Sequence, residues 1–241
     1  MKLLKGKDYK EMSILAANCI SAQVIAKPDS ILGLATGSTP IGTYEELVRR
    51  YQNELLDFKH IVSINLDEYR NLEKEHPQSY HYFMNDHLFS KVNIKLENTF
   101  VPDGSEPDMK KACEQYDEVI DSYHGIDLQL LGLGNNGHIG FNEPADSFCQ
   151  TTPCVDLTES TIEANARFFE TKSEVPTQAY TMGIKTIMQA KKVVLVVSGA
   201  GKAEIVKKAF FGPVTPQVPA SILQFHPDFT LIGDADAFAL I

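Results

Sequence analysis

Nothing in the sequence approaches the ~18 consecutive apolar residues of a membrane span. Its 241 residues also contain no internal repeat, low-complexity tract or linker. The opening Met1-Lys2-Leu3-Leu4-Lys5-Gly6 passes straight into polar residues, with no apolar core of a signal peptide. Basic residues are in deficit: 22 Lys and Arg against 32 Asp and Glu leave a net charge of -10. A nucleic acid rewards a basic surface, so the balance argues against that partner. It leaves room for a small anion, which needs only a local pocket of donors. The four cysteines, Cys19, Cys113, Cys149 and Cys154, form no C-x-x-C pair and have no histidine at finger-like spacing. Read as reduced thiols, they place the expected location in the cytoplasm.

What is present is an ordinary hydrophobic fraction of 43% and an alternation of apolar runs with helical periods. Residues 8–26 carry Met12, Leu15, Ala16, Cys19, Ile20 and Val24 at helical spacing, and Pro28-Asp29 ends that helix. Buried strands are expected over 31–35, 61–66, 126–133, 192–197 and 229–232, with a short one near 99–102. Helices are expected after Pro40 with Thr39 as N-cap, from about Ser79, over 107–122, over 158–169, within 179–190 after a strand edge, and up to Phe210. The expected fold is α/β: a modified Rossmann-like three-layer sandwich, a mostly parallel sheet with helices on both faces, in a single domain spanning 1–241.

Polar or glycine-rich segments follow several of these strands: Thr36-Gly37-Ser38-Thr39-Pro40, Asp67-Glu68-Tyr69, Gly134 to Pro144, and Ser198-Gly199-Ala200-Gly201-Lys202. In a parallel sheet they share one edge and can meet in a single cleft. The first has the chemistry of an anion cradle, with glycine, hydroxyls and a following helix N-terminus, though no G-K-[ST] makes it a Walker loop. Lys202 opens a helix, where the macrodipole disfavours a cation unless an anion lies between them. Gly132-Leu133-Gly134-Asn135-Asn136-Gly137 spells G-x-G-x-x-G, with Asp156 near the expected offset. The residues that follow have no helical period, which argues against a dinucleotide. His138, close to Asn136 and Glu143, suits acid/base work, and Asp67 could remove a proton beside a carbonyl. The residues alone point to proton-shuttling chemistry on a phosphorylated small molecule.

These motifs are colinear, and together with Asn165-Ala166-Arg167-Phe168-Phe169 they resemble the glucosamine-6-phosphate deaminase family over most of the chain. The resemblance implies conversion of glucosamine 6-phosphate and water to fructose 6-phosphate and ammonia, with no cofactor and no metal. It implies Asp67 as the base at C2, and His138 as the ring-opening group assisted by Glu143 and Asn136. Thr36, Gly37, Ser38, Thr39, Gly137, Arg167 and Lys202 would hold the substrate and its phosphate.

Two departures matter. Many members carry Asp where this chain has Asn136, which can orient His138 but holds no charge, so Glu143 is expected to carry more of the ring-opening relay. Residues 146–156 contain no Lys or Arg, although basic residues after N-E-P bind an N-acetylated effector in regulated members. The chain also ends soon after its last strand. No effector site, and a monomer, are therefore expected. The rival readings are a 6-phosphogluconolactonase-like hydrolase, which does not need the D-E-Y carboxylate for enolisation, and a non-catalytic sugar-phosphate sensor.

Overall fold

The computed structural model describes residues 1–241. In chain order the first half holds β1 (Lys2–Lys5), α1 (Tyr9–Ala26), β2 (Ile31–Leu34), α2 (Ile41–Gln52), β3 (Val62–Asn65), β4 (Asp67–Tyr69), α3 (Tyr80–His87), β5 (Thr99–Phe100), α4 (Met109–Ser122) and β6 (Leu128–Leu131). The second half holds β7 (Cys154–Asp156), α5 (Glu159–Asn165), β8 (Gln178–Thr181), α6 (Ile184–Met188), β9 (Val193–Val197), α7 (Ala203–Phe211) and β10 (Phe229–Gly233). A 7-stranded parallel sheet runs β1-β10-β9-β6-β2-β3-β5, and a 3-stranded antiparallel sheet runs β4-β8-β7. The mostly parallel α/β sandwich is as the sequence predicts.

Local chemistry accounts for the elements. The central strands are apolar throughout because helices cover both faces, and every residue of β9 and β10 is buried. Polar N-caps start the helices: Asp8 accepts from Glu11 N, Ser79 from Tyr82 N, and Asp108 from Lys110 and Lys111 N. On α4 the buried Ala112, Tyr116 and Ile120 fall one turn apart, the stripe of a helix with one covered face. One hydrophobic cluster of 49 buried residues joins the large sheet to its helices. No helix is long and apolar enough to cross a membrane.

Three expectations change. The exposed lysines at both ends of β1 hide a strand that pairs parallel with β10. Asp67-Glu68-Tyr69 is no loop: at Leu66 the chain leaves the large sheet, and β4 pairs with β8. Thr39 does not cap α2, because Pro40 itself takes the cap position and no side chain bonds there.

The connections from β2 to β3 and β5 move one way across the sheet, and those from β6 to β9 and β10 move the other. With right-handed crossovers, α1 and α2 cover one face and α4, α6 and α7 the other. β2 and β6 are therefore neighbours whose following loops diverge, the switch point at which open α/β sheets bind ligands. Their pairing ends at Gly33↔Gln129, whereas β2–β3 continues to Leu34↔Asn65 and β6–β9 to Leu131↔Leu195. The buried Gln129 side chain lies across Gly33, where an added Cβ would come within 1.9 Å of Oε1. Gln129 Nε2 is held by the Leu130 carbonyl at 2.8 Å, so the amide has little freedom to yield. Gly33→Ala is expected to lower unfolding free energy by about 1–3 kcal/mol. Urea denaturation of Gly33→Ala with and without Gln129→Ala checks this, and the second substitution should relieve most of the loss.

Candidate active site

At the switch point lies a cleft of about 900 Å³. Thr36, Gly37, Ser38 and Thr39 line it from the loop after β2, and Asp67 from the start of β4. Gly134, Asn136 and His138 come from the loop after β6, Arg167 from the turn after α5, and Ser198 and Lys202 from the loop after β9. Segments distant in sequence thus converge on one space. Glu143 is not in the lining; it stands behind His138. Gly137, expected among the binding residues, is also outside the lining. At φ +89 it turns the loop, its N–H bonds Gly134 O, and an added Cβ would meet Val218 Cγ1 at 2.7 Å. It shapes the loop.

The loop after β6 folds back on itself instead of opening a helix, which removes the dinucleotide reading of its glycines. Gly134 leaves no room for a side chain: the His138 ring lies there, a Cβ would fall 2.3 Å from Nε2, and Gly134 N donates to His138 O at 3.0 Å. Phe141 N donates to Thr181 Oγ1 at 2.9 Å, and Asn142 Nδ2 to Ile139 O and Met182 O, so β8 anchors the far side of the loop.

Glu143 is the hub. Its Oε2 accepts Asn136 Nδ2 at 2.5 Å and lies 3.4 Å from His138 Nδ1, longer than an ordinary hydrogen bond but close enough for a strong charge interaction. Its Oε1 accepts Thr161 Oγ1 at 2.5 Å and Thr158 Oγ1 at 3.3 Å. Burial alone would raise this carboxyl. The opposing effects of His138, Thr161 and Asn136 outweigh it and hold the pKa at about 2. Glu143 therefore stays ionised, suited to stabilising an imidazolium and poorly suited to accepting its proton. Asn136 serves both partners, because its Oδ1 also accepts His138 N at 3.1 Å.

Asp67 is 6% exposed, and no protein donor bonds its carboxylate. Burial, then the neighbouring Glu68 charge, raise its pKa well above the ordinary value. Such a carboxylate holds a captured proton firmly, as a carbon base must. Tyr80, stacked on Phe141 at 6.0 Å and 10°, closes the wall beside it. Neither aromatic stood out in the sequence, nor did the Thr158 and Thr161 clamp. The hydroxyl-rich start of α5 was its available signal.

At the other end of the cleft Arg167 Nη2 lies 3.5 Å from Ser38 Oγ. Lys202 turns its ammonium away from the start of α7 to the Leu133 carbonyl, at 2.6 Å. Burial, then the Arg167 charge, lower its pKa to about 8. Asp234 secures the loop between them by accepting Ser198 Oγ at 2.5 Å and Gly199 N at 3.0 Å. Two cations, hydroxyls and free N–H groups can hold a dianion here.

A family model described as glucosamine-6-phosphate isomerases/6-phosphogluconolactonase matches residues 10–231, and the chain belongs to that family. Within it, the glucosamine-6-phosphate deaminase of Lachnoclostridium phytofermentans is 60% identical over 232 residues, covering 96% of this chain and 98% of that protein. The deaminase of a Geobacillus species is 51% identical over 241 residues, covering 100% of this chain and 96% of that one. Among solved structures, a monomeric glucosamine-6-phosphate deaminase superposes with a TM-score of 0.98 at 44% identity, each chain fully covered. The 6-phosphogluconolactonase of Trypanosoma brucei reaches 0.77 at 19% identity, covering 98% of this chain and 97% of that one, a likeness of fold.

Inorganic phosphate is expected to bind the cationic end. The ammonium of Lys202 is the binding form and is lost as pH rises through about 8. Affinity measured by calorimetry should therefore fall above that point, by up to about tenfold per pH unit. Lys202→Ala should bind weakly at every pH and show no such fall.

Proposed function

We propose that this chain is a glucosamine-6-phosphate deaminase: it converts D-glucosamine 6-phosphate and water to D-fructose 6-phosphate and ammonia, acting as a single domain over residues 1–241. The observation that carries the reading is the convergence of Asp67 and His138, from different strands, on one cleft with a cationic end. The 60% identity to a named deaminase favours deamination over lactone hydrolysis.

Lys202, Arg167, Ser38, Thr39 and the backbone at Thr36 and Gly37 take the phosphate, whose binding energy orients the distant reacting carbons. His138 moves the proton that opens the pyranose ring, and Glu143 stabilises its charged form. Asn136 keeps both in place through its paired hydrogen bonds. Asp67 takes the proton from C2 of the open chain. Return of a proton to C1 leaves an imine at C2, which water hydrolyses with release of ammonia. Each positioned acid or base is worth on the order of 10²–10⁴ in rate. Lactone hydrolysis needs no base at C2, so the buried Asp67 supports an isomerising deaminase.

Release of ammonia from glucosamine 6-phosphate, without hydrolysis of 6-phosphogluconolactone, is the expected assay result. Within that assay Glu143→Gln is expected to lower kcat by roughly 10²–10⁴. Asn136→Asp should lower it less, because a proton shared between the two carboxylates keeps the bridge to Glu143. Equal losses in both variants would count against the proposed division of roles.

We also propose a cytoplasmic monomer without activation by N-acetylglucosamine 6-phosphate. The absence of Lys and Arg over 146–156 supports this, as does the 44% identical monomeric relative. Light scattering should give one chain of 26.8 kDa. Substrate saturation should be hyperbolic, with or without the N-acetylated sugar phosphate.

A further inference from the structure

Glu68 follows Asp67 on β4, so strand alternation sends its side chain to the opposite side from the cleft. It is 2% exposed, and it is not alone there. Its Oε1 accepts Tyr69 N at 2.8 Å and Tyr80 N at 2.9 Å, and its Oε2 accepts His81 N at 2.9 Å. Tyr80 and His81 are the first residues of α3, whose N-cap Ser79 accepts only from Tyr82 N. Glu68 thus satisfies two free N–H groups of that helix and one of its own strand. The arrangement ties β4, which carries Asp67, to α3, which carries Tyr80 into the same cleft wall.

We propose that Glu68 is a positioning residue for the deaminase reaction: its buried carboxylate clamps the first turn of α3 to β4 and fixes a negative charge one residue along the strand from Asp67. The proposal rests on the reading of Asp67 as the C2 base. Asp67 has no donor on its carboxylate, while Glu68 has three, so of two adjacent buried carboxyls Glu68 ionises first and Asp67, ionising after it, is the stronger base. Burial raises the Glu68 pKa to about 7, partly offset by those N–H groups. The groups that face the pair are phenols: Tyr69 from β4, Tyr80 from α3, Tyr44 from α2 and Tyr116 from α4. No Lys, Arg or His side chain hydrogen-bonds either carboxyl, and the basic groups that share the cleft with Asp67 are His138, Arg167 and Lys202. The two therefore titrate as a coupled pair, with Asp67 ionising against the charge of Glu68.

The sign follows from that order. Glu68→Gln removes the charge, so Asp67 ionises at lower pH and becomes a weaker base. The amide oxygen can still accept from two of the three N–H groups. The acid limb of the kcat profile is expected to move down by about one pH unit, with kcat at its plateau reduced and KM little changed. A residue that only holds α3 would raise KM and leave the limb where it is, and an unmoved limb overturns the proposal. Carbon-13 NMR of carboxyl-labelled wild type gives a second measurement that needs no variant and no turnover. The Asp67 signal should show two inflections, one of them shared with Glu68, and a single independent titration overturns the coupling. If the wild type titrates in this way but releases no ammonia, the deaminase reading has failed and the coupling has not.

Discussion

The structure depends on one constraint: β2 and β6 are neighbours that must part. Buried Gln129 lying on Gly33 marks the last paired residues, and beyond them the two chains turn to opposite faces of the sheet. That separation opens the cleft and brings the loop after β2 opposite the loop after β6. A glycine in β2 thus helps to open the cleft without lining it. The small antiparallel sheet supplies what the crevice alone lacks. By leaving the large sheet at Leu66, the chain delivers Asp67 to the cleft and leaves β8 free to brace the loop after β6.

The second dependence is electrostatic. One ionised carboxylate, Glu143, bonds a histidine loop on one oxygen and the start of α5 on the other. Its low pKa separates its task from that of Asp67, whose pKa is raised by burial and by Glu68. Two carboxyls in one site are driven in opposite directions by their surroundings. In the proposed mechanism, that divergence suits one to holding charge and the other to moving a proton. Asn136 fits the same scheme. As an amide it donates to Glu143 at close range, where a second carboxylate would need a shared proton.

Much of this was legible in the sequence, for identifiable reasons. Strands buried on both faces read as apolar runs, so β2, β3, β6, β9 and β10 were expected within a few residues. Glycines and hydroxyls at their ends marked the loops that meet. What was hidden depended on distant pairing. Tyr69 pairs with Ala179 in strands too short for a period, and β1 carries exposed lysines at both ends. The packing of Gly137 on Val218 was hidden because spacing does not show what a glycine lies against. Thr161 and Glu68 were silent because their roles lie in hydrogen bonds to residues 18 and 12–13 positions away.

The central claim is a division of labour: the His138–Glu143 loop opens the sugar, and Asp67 alone works at C2. Proton NMR of glucosamine 6-phosphate in deuterated water with Asp67→Asn tests it most directly. The account predicts that the variant still accelerates interconversion of the two anomers, which requires ring opening, while deuterium entry at C2 and ammonia release are both lost. Continued deuterium entry at C2, or loss of anomer interconversion together with it, would contradict the account.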